Sequence, residues 1–143
     1  MTTILCATRG GEASYRTQDK AIALAKEKKA DLLFLYVIDL QFLDMTAAPI
    51  VVDVEDEVHD MGEFLLLMAK ERAAKQGIAA QTVCQKGRVR KEITKAIRKY
   101  KASVVVLGRP AGEEGEQSAF QLAGLQAFAS KIEEDTGVTV LIV

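Results

Sequence analysis

The segment Ser103-Val104-Val105-Val106-Leu107-Gly108-Arg109-Pro110 constrains the fold of this chain more than any other. A β-branched run with no polar alternation has no solvent-facing side. It reads as a strand covered on both faces, and such strands belong to parallel sheets flanked by helices. The run stops abruptly at glycine, which opens a loop at the strand's C-terminal end, where open α/β sheets hold ligands. The loop that follows, Ala111-Gly112-Glu113-Glu114-Gly115-Glu116, is acidic where a phosphate cradle is neutral or basic.

Strand and helix signals alternate along the rest of the chain. Ile4 to Thr8 is a short apolar run closed by Arg9-Gly10-Gly11, a first strand ending in a turn. Ala21, Ile22, Leu24 and Ala25 keep helical spacing between Thr17 and Lys29. Asp31 to Ile38 is a second continuous strand. Asp39 to Asp53, interrupted by Pro49, has no clean period and reads as a long connection over the strand ends. Val58, Met61, Leu65, Met68, Ala69 and Arg72 then recur at three and four, which predicts a long amphipathic helix from Val54 to Lys75. Asp53, Glu55, Asp56 and Glu57 stand near its expected start, where acidic side chains complement the helix dipole.

Gln76-Gly77 stops that helix, and Ile78 to Gln85 is a third strand ending at Lys86-Gly87. Val89, Ile93, Ala96, Ile97 and Tyr100 form one apolar stripe of the next helix, while Arg88, Arg90, Lys91, Lys95, Arg98, Lys99 and Lys101 occupy its other face. A final helix over about Ser118 to Glu134 turns Phe120, Leu125, Phe128, Ala129 and Ile132 inward, and Val138 to Val143 is a fifth strand. The order predicts an α/β fold: a five-stranded parallel sheet with helices on both faces.

Composition narrows the function classes. With 143 residues the chain fits a single domain, residues 1–143, and its net charge of -1 exerts no global pull on nucleic acid or anionic membrane. The basic face between Arg88 and Lys101 lacks interleaved aromatics, so nucleic-acid binding is not expected. Cys6 and Cys84 lie in apolar strand-like runs and read as small buried hydrophobes of a reducing cytoplasm. With His59 as the only histidine and no close cysteine pair, no metal site is expected. No apolar run reaches the ~20 residues of a membrane span, and the N-terminus lacks a signal-peptide pattern. Ser14, Ser118 and Ser130 have no histidine near them in sequence, so no catalytic residues are assigned.

Ile4-Leu5-Cys6-Ala7-Thr8 before a Gly-rich turn, Leu33 to Val37, Gly87 before the stripe Val89 to Tyr100, Ala102 to Gly108, and the terminal strand Val138 to Val143 together resemble the universal stress protein family over essentially the whole chain. The resemblance implies a Rossmann-like sheet of order 3-2-1-4-5 with its switch point between strands one and four. It also implies a cytoplasmic homodimer joined through the fifth strand, with Val138, Val140, Leu141, Ile142 and Val143 at the interface. An apolar edge strand supports that pairing independently, because an uncovered edge is a liability.

Members of the family that bind ATP carry an acidic residue after the first strand and a glycine, two residues, glycine, nine residues, glycine and Ser or Thr after the fourth. Here the acidic position is Arg9, Gly108 matches, Ala111 replaces the second glycine, and Gln121 and Leu122 stand at the last pair. Allowing an insertion, Gly112 and Gly124 substitute, but Leu125 follows without a hydroxyl. The candidate ligand crevice at the ends of strands one and four comprises Thr8, Arg9, Gly10, Val37, Gly87, Gly108, Arg109, Gly112 and Ser118. The expectation is a homodimeric binding or interaction module of stress response that does not hold ATP tightly. Two alternatives stay open: an ATP- or AMP-binding protein with an altered phosphate loop, and a small-anion or metabolite sensor using Arg9 and Arg109.

Overall fold

Parallel strands cannot be joined by tight turns, so each connection here is a helix that crosses one face of the sheet. The order is β1 (Thr3–Ala7), α1 (Tyr15–Lys28), β2 (Asp31–Ile38), α2 (Ala48–Lys75), β3 (Ala80–Lys86), α3 (Val89–Tyr100), β4 (Val104–Leu107), α4 (Glu116–Thr136) and β5 (Thr139–Ile142). This computed structural model describes residues 2–8, 14–39, 48–109 and 116–143, and within these the side chains of 48–55 and 116–121 are not described. The five strands pair in parallel, as the sequence predicts, in the order β3-β2-β1-β4-β5 that the family resemblance implies.

The continuous apolar strands divide by parity between two cores. On one face Ile4, Cys6, Leu32, Phe34, Val104 and Val106 pack against Ala21, Ile22 and Ala25 of α1 and Leu66, Ala69 and Ala73 of α2. On the other, Leu5, Leu33, Leu35, Val105 and Leu107 meet Ile93, Ala96 and Ile97 of α3 and Ile132 of α4. Successive side chains point to opposite faces, so one uninterrupted apolar run serves both layers. Burial of this kind, at about 25 cal/mol per Å² of apolar surface, is the main favourable term of the fold.

Helix α2 departs from the sequence reading in two ways. It begins at Ala48 rather than Val54, which takes in Pro49 near its start, where a missing N–H leaves no bond unmade. Its first turn therefore holds no acidic residue, and Asp53, Glu55, Asp56 and Glu57 sit farther along the helix, beyond the reach of its positive end. Of the expected stripe, Ala69 is buried and Val58, Leu65, Met68 and Arg72 are half-buried, so the buried face is shifted rather than reversed. Gly62, Leu66, Ala69 and Ala73 meet the sheet, whereas Met61 is exposed, as are Phe64 and Leu67. Small residues allow the helix axis to approach the strands closely, and that geometry outweighs a count of large apolar positions.

In α3, Ile93, Ala96 and Ile97 are buried as expected, but Val89 is 42% exposed. In α4, Ala129 and Ile132 are buried and Leu125 and Phe128 partly so, while the side chain of Phe120 lies outside the described residues. Among the described residues no helix is long and apolar enough to cross a membrane.

Candidate functional site

Helices α1 and α2 cover one face of the sheet and α3 and α4 the other, so the chain leaves β1 and β4 toward opposite faces. A crevice must open between those exits. It does: a cavity of about 480 Å³ lies over the C-terminal ends of β1, β2 and β4. Ala7, Thr8, Leu107, Gly108 and Arg109 come from the ends of β1 and β4, and Tyr36, Val37, Ile38 and Asp39 from the end of β2. Leu35 of β2, Ser14 before α1, Thr17 of α1, Val58 of α2, Val89 and Ile93 of α3 and Leu125 of α4 complete the lining. The exposure of Val89 thus has a reason, since it faces the crevice.

The polar groups are few and fixed. Thr8 is buried, its N–H bonds the carbonyl of Leu35 at 2.9 Å, and its hydroxyl accepts a hydrogen bond from Gln18 Nε2 at 2.9 Å. Gln18 is itself buried, and among the described residues its Oε1 has no partner. Arg109 is exposed, but its N–H bonds the carbonyl of Val143 at 3.0 Å, which ties the residue after Gly108 to the end of β5. Ser14 is the N-cap of α1 without a side-chain capping bond, and the first turn of that helix has no acidic residue. The positive end of the α1 dipole therefore meets the crevice, a favourable place for negative charge.

Gly108 has a packing role. A Cβ placed there would stand 2.7 Å from Thr17 Oγ1, closer than real Cβ atoms come, so the end of β4 rests directly against α1. Gly87, also singled out in the sequence, is not among the lining residues. With φ of +152°, a conformation that side chains rarely adopt, it forms the turn before α3 and donates its N–H to the carbonyl of Ile38 at 2.9 Å. Thr8, Val37, Gly108 and Arg109 line the cavity. Arg9, Gly10 and Gly112 lie outside the described residues, as does the side chain of Ser118. Ser14, Thr17, Tyr36, Ile38, Asp39, Val58, Val89, Ile93 and Leu125 were not legible as lining residues in the sequence. Only the topology shows which ends of which elements converge.

The profile of the Universal stress protein family matches residues 1–140. The chain belongs to that family. Among relatives, it is 29% identical over 113 residues to the universal stress protein YxiE of Bacillus subtilis (strain 168), covering 73% of this chain and 76% of YxiE. The fold of this universal stress protein is shared with UspA from Lactobacillus plantarum at a TM-score of 0.76 and 16% identity, covering 99% of this chain and 97% of that one. A universal stress protein solved in complex with cAMP matches at a TM-score of 0.71 and 22% identity, over 99% and 96% of the two chains. The Rossmann-like fold and the family expected from the sequence are those found.

Proposed function

We propose that the crevice binds an adenine nucleoside monophosphate, linear or cyclic, and that the protein is a nucleotide-responsive binding module that does not hold ATP tightly. The observation that carries this is the cavity itself. Its volume of about 480 Å³ falls in the range of small-molecule sites, roughly 300–1,000 Å³, and its lining is apolar apart from a few convergent polar groups. An apolar ring system suits Val37, Ile38, Val58, Val89 and Leu125, and one phosphate suits the α1 N-terminus with Arg109 at hand.

A triphosphate needs more. It requires close backbone approach along the loop after β4, which glycines and a hydroxyl provide. This sequence offers Ala111, Gln121 and Leu122 at those positions and adds Glu113, Glu114 and Glu116. The solved relative bound to cAMP supports a single-phosphate ligand on this fold.

Thermal denaturation with AMP, cAMP, ADP, Mg-ATP and inorganic phosphate tests the reading. A monophosphate at about 100 times its Kd stabilises by about 2.7 kcal/mol, while Mg-ATP at the same concentration produces a smaller shift. Equal, negligible shifts for all five would contradict it.

A second reading rests on β5, which among the described residues pairs with β4 alone and leaves an edge of Val140, Leu141, Ile142 and Val143 partly buried. We infer that two copies pair through this edge. Light scattering of the purified chain as a dimer, converted to monomer by Leu141→Lys, supports the pairing, and a monomeric wild type contradicts it.

A further inference from the structure

Away from the crevice, α2 crosses the edge strand β3 and brings together three side chains that are far apart in the sequence. His59 and Glu63 stand one helical turn apart on α2, with Nε2 and Oε1 3.7 Å apart. Cys84 rises from β3 beneath them. One ligand atom from each of the three lies within 4.8 Å of the other two. We propose that His59, Glu63 and Cys84 form a divalent-cation site that takes zinc.

The packing explains how the sulfur reaches the helix. Gly62 lies between the two helical donors, and a Cβ on it would stand 3.2 Å from Cys84 Sγ and 2.9 Å from Tyr36 Cδ1. Glycine inside a helix is less favourable than alanine. Here it lets α2 settle onto β2 and β3 until the thiol lies level with the side chains on either side of position 62. Cys84 is half-buried and fixed by the strand, while His59 and Glu63 are 53% and 54% exposed and have room to turn.

The donor set selects the metal. Bonds of about 2.0–2.3 Å in a tetrahedron place donors about 3.5 Å apart, so closing the cluster asks for about 1 Å of movement from two exposed side chains. Imidazole and thiolate suit zinc and disfavour magnesium and calcium, which want oxygen alone. Thiolate and carboxylate together neutralise the charge of the cation. On binding, the Cys84 S–H bond breaks, its proton passes to solvent, and the sulfur electron pair forms the S–Zn bond; no oxidation occurs. Three protein donors leave the fourth position to water. The sequence reading expected no metal site, and the strand-to-helix crossing is what the spacing did not reveal.

Cobalt(II) is the spectroscopic probe. Chelator-treated full-length protein titrated with cobalt(II) is expected to bind a single equivalent, with a thiolate-to-cobalt charge-transfer band and the intense visible bands of tetrahedral cobalt, and zinc is expected to displace it. Cys84→Ala abolishes the charge-transfer band and Cys6→Ala retains it. His59→Gln and Glu63→Gln, exposed positions that do not threaten the fold, weaken binding at least about tenfold. Absence of the band in the wild type, its survival in Cys84→Ala, or unchanged affinity in both exposed variants would overturn the proposal.

Discussion

Gly108→Ala tests how the crevice is built. The added methyl carbon would lie 2.7 Å from Thr17 Oγ1, on a buried, β-branched side chain with few χ1 rotamers open to it. The other two near atoms, Thr17 Cβ and Cγ2, are at 3.8 and 3.9 Å, ordinary contact distances, so the strain is concentrated in one atom. Overpacking of this kind costs about 1–3 kcal/mol. For a domain of this size each kcal/mol lowers Tm by roughly 2–4 °C. Urea denaturation and calorimetry of Gly108→Ala, Thr17→Ala and the double variant give the coupling. Removing Oγ1 relieves the contact, so the double variant should be no less stable than Thr17→Ala alone, a coupling of about 1–3 kcal/mol in favour of the pair. Thr17→Val, which replaces the oxygen by a methyl, should give no relief. Additive effects, or a Gly108→Ala variant as stable as wild type, would refute the packing argument and return this glycine to a role in ligand approach alone.

Phe34 is fully buried on β2 between β1 and β3, so Phe34→Ala should cost about 3–5 kcal/mol in urea denaturation, and a loss well below that would place the residue outside the cooperative core. Burial pushes the Cys6 thiol from 9.0 up to about 12, so the native state keeps its proton where the unfolded chain loses it. The raised value means that this contribution is complete below pH 9.0 and is lost as pH rises toward about 12, with a slope of at most about 1.4 kcal/mol per pH unit that Cys6→Ala removes. Burial first, and then the charge of Glu63, also raise the Cys84 thiol, yet Cys84 is only half-buried; native protein should alkylate there, with Cys6 reacting only after denaturation. Lys29 and Lys101 end α1 and α3 at φ of 51° and 54°, so glycine at either position should raise stability by about 0.5–1 kcal/mol, measured by the same denaturation, and a loss would show that the lysine side chains contribute more than the strain.

The strands were legible as short runs bounded by turn residues and alternating with helical periods. The bounds of β2, Asp31–Ile38, coincide with the sequence reading, and the sheet order is the one the family resemblance implies. Helix α2 was legible as a helix, but its facing only in part: Ala69 of the expected stripe is buried and Met61 is exposed. Large apolar residues such as Met61 dominate a periodicity count, whereas Gly62, Ala69 and Ala73 decide how closely the helix approaches the sheet. The same blindness hid the proximity of Cys84 to His59. In the crevice, residues at the ends of β1 and β4 were readable from the glycine that follows the strand. The walls from α1, α2 and α3 were not, because convergence of helix ends is a property of the crossovers and not of any local pattern.

The ligand proposed for the crevice carries one phosphate and not three, which isothermal titration calorimetry of the purified protein with cAMP, AMP and Mg-ATP decides. The prediction is that at least one monophosphate binds more tightly than Mg-ATP by about tenfold or more, a difference of about 1.4 kcal/mol, and that Arg109→Ala weakens it. Mg-ATP binding as tightly as either monophosphate, or more tightly, would contradict the account.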